Sequence, residues 1–390
     1  MKTIKPTEPI QTRGNLDKVV IENDVLHLAG WVASVDAGPV EGFKIVCAGK
    51  ELTEFVMALG LDSPDVEEMF PNLDCSEKAR FHINVFLNEQ QQEQVRNSLI
   101  VLTPLFEGRK GCLLLDLLEP SLPLPDSDLR GFIGANVNFT DAAIEFLGYF
   151  LQKGGLKPTE NVLDIGCGAG RMAYALAYYL APTARYEGFD IAQPLIEWAR
   201  QNITARFPNF NFRQVDIYNK LYNPDGTLQA TEFAFPYEDE TFDFALLTSV
   251  FTHLPSEEVR HYLDEIERVL KPGGRCLCTV LLHNEESQKL MEAGKSTANL
   301  VYQIDDYFAT SPDVPERFIG FQEDLLMKWI CDRGFTLQGK YYGDWCRRTE
   351  FTSHQDILVF QKDCSFVSRM RMFPKKIYRM FQSRNMNEKA

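Results

Sequence analysis

The chain has no Cys-x-x-Cys pair, and none of its nine cysteines stands near a histidine at a zinc-finger spacing. This excludes the common thiolate metal sites and the thioredoxin-like redox motif, and no metal site is expected. The cysteines are odd in number and scattered, so they read as reduced core thiols of a cytosolic protein rather than a disulfide framework. No apolar run is long enough to span a bilayer, and the polar stretch from Met1 to Asn15, with Pro6 and Pro9, has no apolar signal core. A soluble, cytoplasmic protein is the expectation. Basic residues are also scarce: 40 Lys and Arg face 55 Asp and Glu, a formal net charge of −15. That balance argues against a general affinity for nucleic acid, whose phosphates favour basic surfaces. Histidine is limited to six positions. Two of them, His27 and His82, fall inside strand patterns and read as packed or surface residues.

With 390 residues, 45% of them hydrophobic and 24% charged, the chain is ordinary in composition and long enough for two domains. Residues 1–17 read as a flexible N-terminus. Within 18–119, short apolar strings alternate with turn residues. Strands are predicted at Val19 to Ile21, Val25 to Val32, Gly42 to Ala48, Arg80 to Leu87 and Leu99 to Leu105. Strands at that spacing suggest a small all-β domain resembling a β-sandwich. Residues 120–130, with Pro120, Pro123 and Pro125, form an extended linker, because proline fixes φ and blocks helix continuation.

From 131 to 362 the pattern becomes strand–helix alternation. Thr140 caps a predicted helix running to Leu151. Strands follow at Asn161 to Ile165, Arg185 to Phe189, Phe210 to Val215, Phe242 to Leu247 and Arg275 to Leu282. A helix opens at Ser256 and stops near Leu270, and another covers Phe321 to Arg333. Two last strands lie near Phe335 to Tyr341 and Gln355 to Gln361. This order implies an α/β fold with a doubly wound, mainly parallel sheet that holds ligands at the carboxyl ends of its strands.

The stretch Val162-Leu163-Asp164-Ile165-Gly166-Cys167-Gly168-Ala169-Gly170-Arg171 is the most informative. A buried strand enters a turn with glycines at alternate positions, and a helix follows. Glycine permits unusual φ and close approach of a ligand, and a helix N-terminus offers free N–H donors. Such a loop alone could serve a dinucleotide or merely make a tight turn. Asp190 stands 26 residues after Asp164 (190 − 164), at the end of the second strand, where a carboxylate can accept both hydroxyls of a ribose. Asp216 ends the third strand 26 residues further on (216 − 190), followed by Ile217. Phe235-Pro236-Tyr237 to Phe242-Asp243 and Arg268-Val269-Leu270-Lys271-Pro272-Gly273-Gly274 complete the pattern.

In order and spacing, residues 161–280 resemble the class I S-adenosylmethionine-dependent methyltransferase family, whose fold is a Rossmann-like seven-stranded sheet. The resemblance implies S-adenosyl-L-methionine as cofactor. It implies that Gly166, Gly168 and Gly170 line the methionine part, that Asp164 holds its ammonium group, and that Asp190 binds the ribose with Ile191 beside it. It further implies that Asp216 meets the adenine amine, that Ile217 packs on the ring, and that Ser249 contributes from the loop after the fourth strand. Lys271 to Gly274 has a structural role, ending a helix and turning into the fifth strand.

The sulfonium already makes the methyl electrophilic, so the protein mainly aligns an acceptor, and a hydroxyl acceptor also needs a base. His253, in Thr248-Ser249-Val250-Phe251-Thr252-His253-Leu254, is the first candidate base, although relatives carry a His-Leu pair here that only packs the loop. His283, leaving the fifth strand, is the second. The segment from Asn284 to Gly320 interrupts the family pattern where acceptor pockets usually lie. Tyr302, Asp305, Asp306 and Tyr307 are its candidate groups. Trp345 and Arg347, after the sixth strand, could add an aromatic platform and a cationic clamp. For both groups the rival reading is a solvated loop.

The Ser249 to Leu254 string, the Asn223-Pro224-Asp225-Gly226 turn and Gln355-Asp356-Ile357 resemble bacterial methyltransferases associated with surface-glycan biosynthesis. Ala29-Gly30-Trp31-Val32-Ala33 is similar to a β-domain that accompanies glycan-modifying enzymes. These likenesses imply a sugar or glycan-precursor hydroxyl as acceptor, with another small molecule, a lipid or a protein as alternatives. A catalytically silent binding protein on the same fold also stays open. A nicotinamide oxidoreductase would need its third glycine at Arg171.

From Lys362 onward the composition turns basic, with eight Lys and Arg against two acids. Phe366, Met370, Phe373, Ile377, Met380 and Phe381 recur at spacings of three or four. The tail 363–390 thus reads as a basic amphipathic segment suited to peripheral contact with the inner membrane surface, or to docking on the acidic body or a partner.

Overall fold

The computed structural model describes residues 10–131 and 138–364, and the chain divides into two compact units. One unit comprises Met1–Pro158, Ala169–Thr183 and Glu197–Phe210; the other comprises Thr159–Gly168, Ala184–Ile196 and Asn211–Ala390.

The first unit opens with β1 (Thr12–Glu22), β2 (Val25–Ser34), β3 (Gly42–Cys47), β4 (Lys50–Leu52) and β5 (Phe55–Leu61). Helix α1 (Pro64–Met69), β6 (Arg80–Phe86), α2 (Glu89–Val95), β7 (Ser98–Phe106), β8 (Arg109–Lys110) and β9 (Leu114–Leu118) follow. One sheet has the order β1-β2-β6-β5; the other runs β4-β3-β7-β8, with β9 also on β7. Leu26, Leu28, Phe81 and Ile83 of the first sheet share one buried cluster with Phe43, Ile45, Ile100 and Leu102 of the second. That is how a sandwich buries alternate residues of each strand.

Of the flexible N-terminus expected through residue 17, residues 1–9 lie outside the described residues, and the part from Thr12 onward is corrected. β1 begins at Thr12, and Thr12 to Leu16 pair antiparallel with Ser34 to Gly30. Polar, weak strand formers are recruited by pairing with a strong neighbour, a tertiary effect that local propensity does not show.

The proline-rich linker stays irregular up to α3 (Ser127–Gly131), but it is anchored. Leu122 is buried, its N–H donates to Tyr178 Oη at 3.0 Å, and its carbonyl accepts from Tyr174 Oη at 3.0 Å. Helix α4 (Phe139–Gln152) is capped by Asn138, not by Thr140 as expected, because the Asn138 side chain accepts from the N–H groups of Thr140 and Asp141. Phe139 of α4 meets Tyr174 of α5 (Arg171–Leu176) edge to face, with ring centres 5.5 Å apart.

The second unit carries the large sheet. Its strands are β10 (Val162–Ile165), β11 (Tyr186–Asp190), β12 (Phe210–Gln214), β13 (Phe242–Leu247) and β14 (Leu270–Val280), with two more near the end of the chain. Helix α6 (Gln193–Ala199) follows β11, and α7 (Ser256–Val269) connects β13 to β14. β10 pairs in parallel with β11 and β13, and β13 with β14. Every residue of β10 is buried, as expected where both faces of a parallel strand are covered.

Lys271 to Gly274 follows the end of α7 at Val269, as expected. It lies inside β14, whose register against β13 shifts between Phe242/Leu270 and Phe244/Arg275. Gly273, at φ +79, takes the left-handed turn this bulge requires.

Next come β15 (Leu282–His283), α8 (Glu285–Glu292), β16 (Tyr302–Ile304), β17 (Tyr307–Ala309), β18 (Ile319–Gln322) and α9 (Glu323–Cys331). β15-β18-β17-β16 form a small sheet of their own. The interrupting segment is therefore structured rather than a solvated loop, and Phe321, expected in a helix, belongs to β18. The chain finishes the large sheet with β19 (Phe335–Tyr341) and β20 (Asp356–Lys362), in the order β12-β11-β10-β13-β14-β20-β19. β20 is antiparallel to both neighbours, so the seven-stranded sheet is mixed.

Among the described residues no helix is long and apolar enough to cross a membrane. Apart from Asp363 and Cys364, the basic tail lies outside the described residues.

Candidate active site

The loop after β10 is shaped by backbone constraints. Gly166, Gly168 and Gly170 sit at φ +76, +53 and +77, a region L side chains rarely adopt. A Cβ added at Gly166 would lie 2.5 Å from Cγ2 of Val250. Gly170 is the N-cap of α5. The Gly166 and Cys167 N–H groups both donate to the Phe189 carbonyl, tying the loop to the end of β11.

Two carboxylates accompany this loop. Asp164 is fully buried, and Tyr186 Oη donates to its Oδ2 at 2.5 Å. Burial, and then the neighbouring Asp164 charge, hold the Tyr186 hydroxyl well above its ordinary pKa, so it stays a donor. Asp190, half-buried at the end of β11, accepts from Gly168 N–H on Oδ2 and from Ala192 N–H on Oδ1, each at 2.8 Å. Burial raises its pKa, opposed by these backbone donors.

The remaining cofactor candidates divide. Ile191 is half-buried against the main core cluster. Asp216 is exposed, and its Oδ2 accepts from Thr227 Oγ1 at 2.6 Å. Ile217 is only 3% exposed and packs within the core. Ser249 takes φ +60 and donates its N–H to Thr279 Oγ1 at 2.7 Å; that hydroxyl in turn donates to Gln355 Oε1 at 2.6 Å.

His253 lies on a short 3-10 turn, Phe251–His253, after β13. Its Nδ1 is 2.7 Å from the Glu316 carbonyl oxygen. A carbonyl cannot donate, so Nδ1 carries the proton and the neutral ring presents a lone pair at Nε2. Burial depresses its pKa, which favours that neutral form. The ring meets Tyr222 edge-on, 5.3 Å between centres, and the charge of Asp190 helps raise the Tyr222 pKa after burial. Tyr222 thus stands within electrostatic range of the ribose candidate while touching the candidate base. His283 instead lies flat against Phe308, with ring centres 3.8 Å apart, and lines a cavity of about 1050 Å³ with Asn284, Glu323 and Tyr342.

Of the acceptor-side candidates, Asp305, Asp306 and Tyr307 are brought together, whereas Tyr302, Trp345 and Arg347 stand apart from them. Tyr302 is 45% exposed at the start of a hairpin, and Asp305 turns that hairpin at φ +50. Asp306 is paired with Arg260. Asp305, Asp306 and Tyr307 line a second cavity, of about 550 Å³.

Trp345 is fully buried and donates Nε1–H to Asp356 Oδ2 at 2.7 Å, so the aromatic platform expected there is corrected to a core residue. Arg347 is exposed at φ +65, and its nearest acidic group is Asp344, at 4.0 Å. The clamp position belongs instead to its neighbour Arg348. That buried guanidinium holds Asp356 and the Gly343 carbonyl, each at 3.1 Å, and serves the core.

Tyr186, Tyr222, Thr279, Glu258 and Glu316 were not singled out from the sequence. Only Tyr222 had a local signal, its position beside the Asn223 to Gly226 turn. Among the described residues no group of three His, Cys, Asp or Glu could hold a metal ion.

Residues 163–278 match a family model described as a methyltransferase domain. The demethylmenaquinone methyltransferase of Bacillus cytotoxicus is 26% identical over 123 residues, 32% of this chain and 45% of that protein. An uncharacterized 37.1 kDa protein from a Streptomyces fradiae transposon is 32% identical over 136 residues, 35% of this chain and 34% of that one. The chain thus spans less than half the length of these curated relatives. Among solved structures, a SAM-dependent methyltransferase of Methanosarcina mazei aligns with TM-score 0.37 and 22% identity, covering 55% of this chain and 97% of that one. A magnesium protoporphyrin IX methyltransferase of Synechocystis aligns with TM-score 0.39 and 18% identity, covering 60% and 94%. The family match and the demethylmenaquinone methyltransferase relative are both to methyltransferases.

Proposed function

We propose that this protein is an S-adenosylmethionine-dependent methyltransferase that transfers the methyl group to a hydroxyl of a sugar or glycan precursor. The observation that carries the transfer chemistry is Asp190. Two backbone N–H groups fix its carboxylate at the end of β11, and each oxygen keeps a lone pair for a ribose hydroxyl. The loop fits the same group, since the space at Gly166 admits no Cβ and its φ excludes most side chains.

Asp164, oriented by Tyr186, would hold the ammonium of the methionine part. The open oxygen of Asp216 would take the adenine amine. Ile217 is packed in the core and offers the ring little more than its backbone. When bound, the cofactor supplies a methyl already activated by its sulfonium. The chain then has to align the acceptor and take its proton. His253 Nε2 is the group suited to that proton, because Nδ1–H is committed to the Glu316 carbonyl. His283, flat against Phe308 beside the larger cavity, is better placed to hold an acceptor than to deprotonate it.

The sugar acceptor rests on the resemblance of the Ser249 to Leu254 string and its companions to glycan-associated methyltransferases. The relatives named demethylmenaquinone methyltransferases favour a second reading, another small-molecule acceptor. Contact of the basic tail with an anionic membrane surface, and a cytoplasmic location, belong to the first reading.

Incubation of the full chain with methyl-labelled cofactor and separate pools of nucleotide sugars, quinones and amines tests the proposal. Label in the sugar fraction supports it, and label only in the other pools overturns the acceptor. His253→Gln should lower kcat by about 10²-fold or more with KM little changed. An unchanged kcat would remove His253 as the base.

A further inference from the structure

The second cavity contains a charge arrangement that the reading above does not use. It is lined by Gln229, Thr231, Ser256, Glu258, Asp305 and Tyr307, among others. Four acidic residues, Glu257, Glu258, Asp305 and Asp306, are among its lining, against the single lining cation Arg260. Arg260 is engaged elsewhere: it pairs with Asp306, and its guanidinium sits 4.3 Å from the centre of the Trp329 ring. The partial positive charge at the start of α7 is already faced by Glu257 and Glu258 in its first turn.

Among the described residues Glu258 has no ion-pair partner, and burial and then the charge of Glu316 push its carboxyl up to about 7. A second, independent observation points the same way. Ser256 lines the cavity, is 4% exposed, and its Oγ has no hydrogen-bond partner among the described residues. A buried oxygen without a partner is costly, and a donor-rich cation in the cavity relieves both the missing bond of Ser256 and the carboxylate repulsion.

The cavity also lies close to the proposed chemistry. Glu316 links the two places, holding His253 through its carbonyl while its carboxylate raises Glu258. Tyr262 feels the charges of both Glu258 and Asp190.

We propose that this cavity binds a protonated amine carried by the acceptor, with the ammonium between Glu258 and Ser256 Oγ. On the function proposed above, the acceptor is then an amino sugar rather than a neutral one. This step rests on that reading for the sugar, but the amine site stands on the cavity itself.

Calorimetric titration of the full chain with glucosamine and with glucose, each with and without saturating S-adenosylhomocysteine, tests it. Wild type should bind glucosamine about tenfold or more tighter than glucose, as one charge-assisted hydrogen bond allows. Glu258→Gln should cut the preference to about threefold or less, and Ser256→Ala should reduce it partly; thermal melts confirm that both variants fold. Equal binding of the two sugars, no binding of glucosamine, or a preference surviving Glu258→Gln would each overturn the site. Failure of S-adenosylhomocysteine to bind would overturn the methyltransferase reading instead, and the sugar arms without it would still decide the amine site.

Discussion

The loop after β10 and the segment between β14 and β19 solve opposite problems. In the loop, backbone amides and left-handed glycines define the binding surface, and Asp190 is held by main-chain donors alone. In the later segment, side chains from β15, α8 and β17, together with α7 from before β14, define the cavities, and carboxylates outnumber their partners. A backbone-built site tolerates few residue types, so its composition announces it. A side-chain-built site can be assembled from many combinations and leaves little trace in any short stretch.

The contrast predicts unequal sensitivity to substitution. Gly166→Val should have the largest effect. Its Cβ would meet Val250, and its φ of +76 would cost roughly 1–3 kcal/mol of strain. Binding of S-adenosylhomocysteine should fall below detection in calorimetry while the fold persists; near-normal binding would mean the loop is not backbone-limited. Tyr186→Phe should come next. Removing a donor from the buried Asp164 carboxylate costs about 1–3 kcal/mol, read as a lower melting temperature together with weaker binding of S-adenosylhomocysteine. A melting temperature equal to that of wild type would show that Asp164 is satisfied without it.

The smallest effect is expected on the acceptor side. The Glu258 carboxyl is raised to about 7, so its ionisation disfavours the folded state. Relative to Glu258→Gln, wild type should therefore lose stability as pH rises from about 4.5, the ordinary carboxyl value, through about 7. Glu316, Tyr262 and Tyr307 share this field. Melting curves at pH 5 and pH 8 check it. A gap that does not widen at the higher pH would remove Glu258 as a strained acid.

Much of the local fold around the glycine loop was legible beforehand, because each signal was local. The buried run Val162 to Ile165, the alternate glycines and an acid at the end of the second strand each report their own conformation. What was not legible depended on distant partners. β1 starts at Thr12 only because β2 is there to pair with it, and α4 is capped by Asn138 because that side chain, not Thr140, reaches the first free N–H groups. Trp345 read as an exposed platform since nothing nearby in the chain reveals Asp356 waiting for its N–H. Glu258 carried no local signal of its own. Its isolation comes from Arg260 being engaged by Asp306 and Trp329, 46 and 69 residues away (306 − 260 and 329 − 260).

The central claim is that the carboxylate ending β11 fastens a sulfur nucleoside beside the glycine loop. Titration calorimetry of wild type and Asp190→Ala with S-adenosylhomocysteine tests it most directly. Loss of two charge-assisted hydrogen bonds should weaken binding roughly a hundredfold or more, with the variant still folded. Equal affinity in the two proteins would contradict the account.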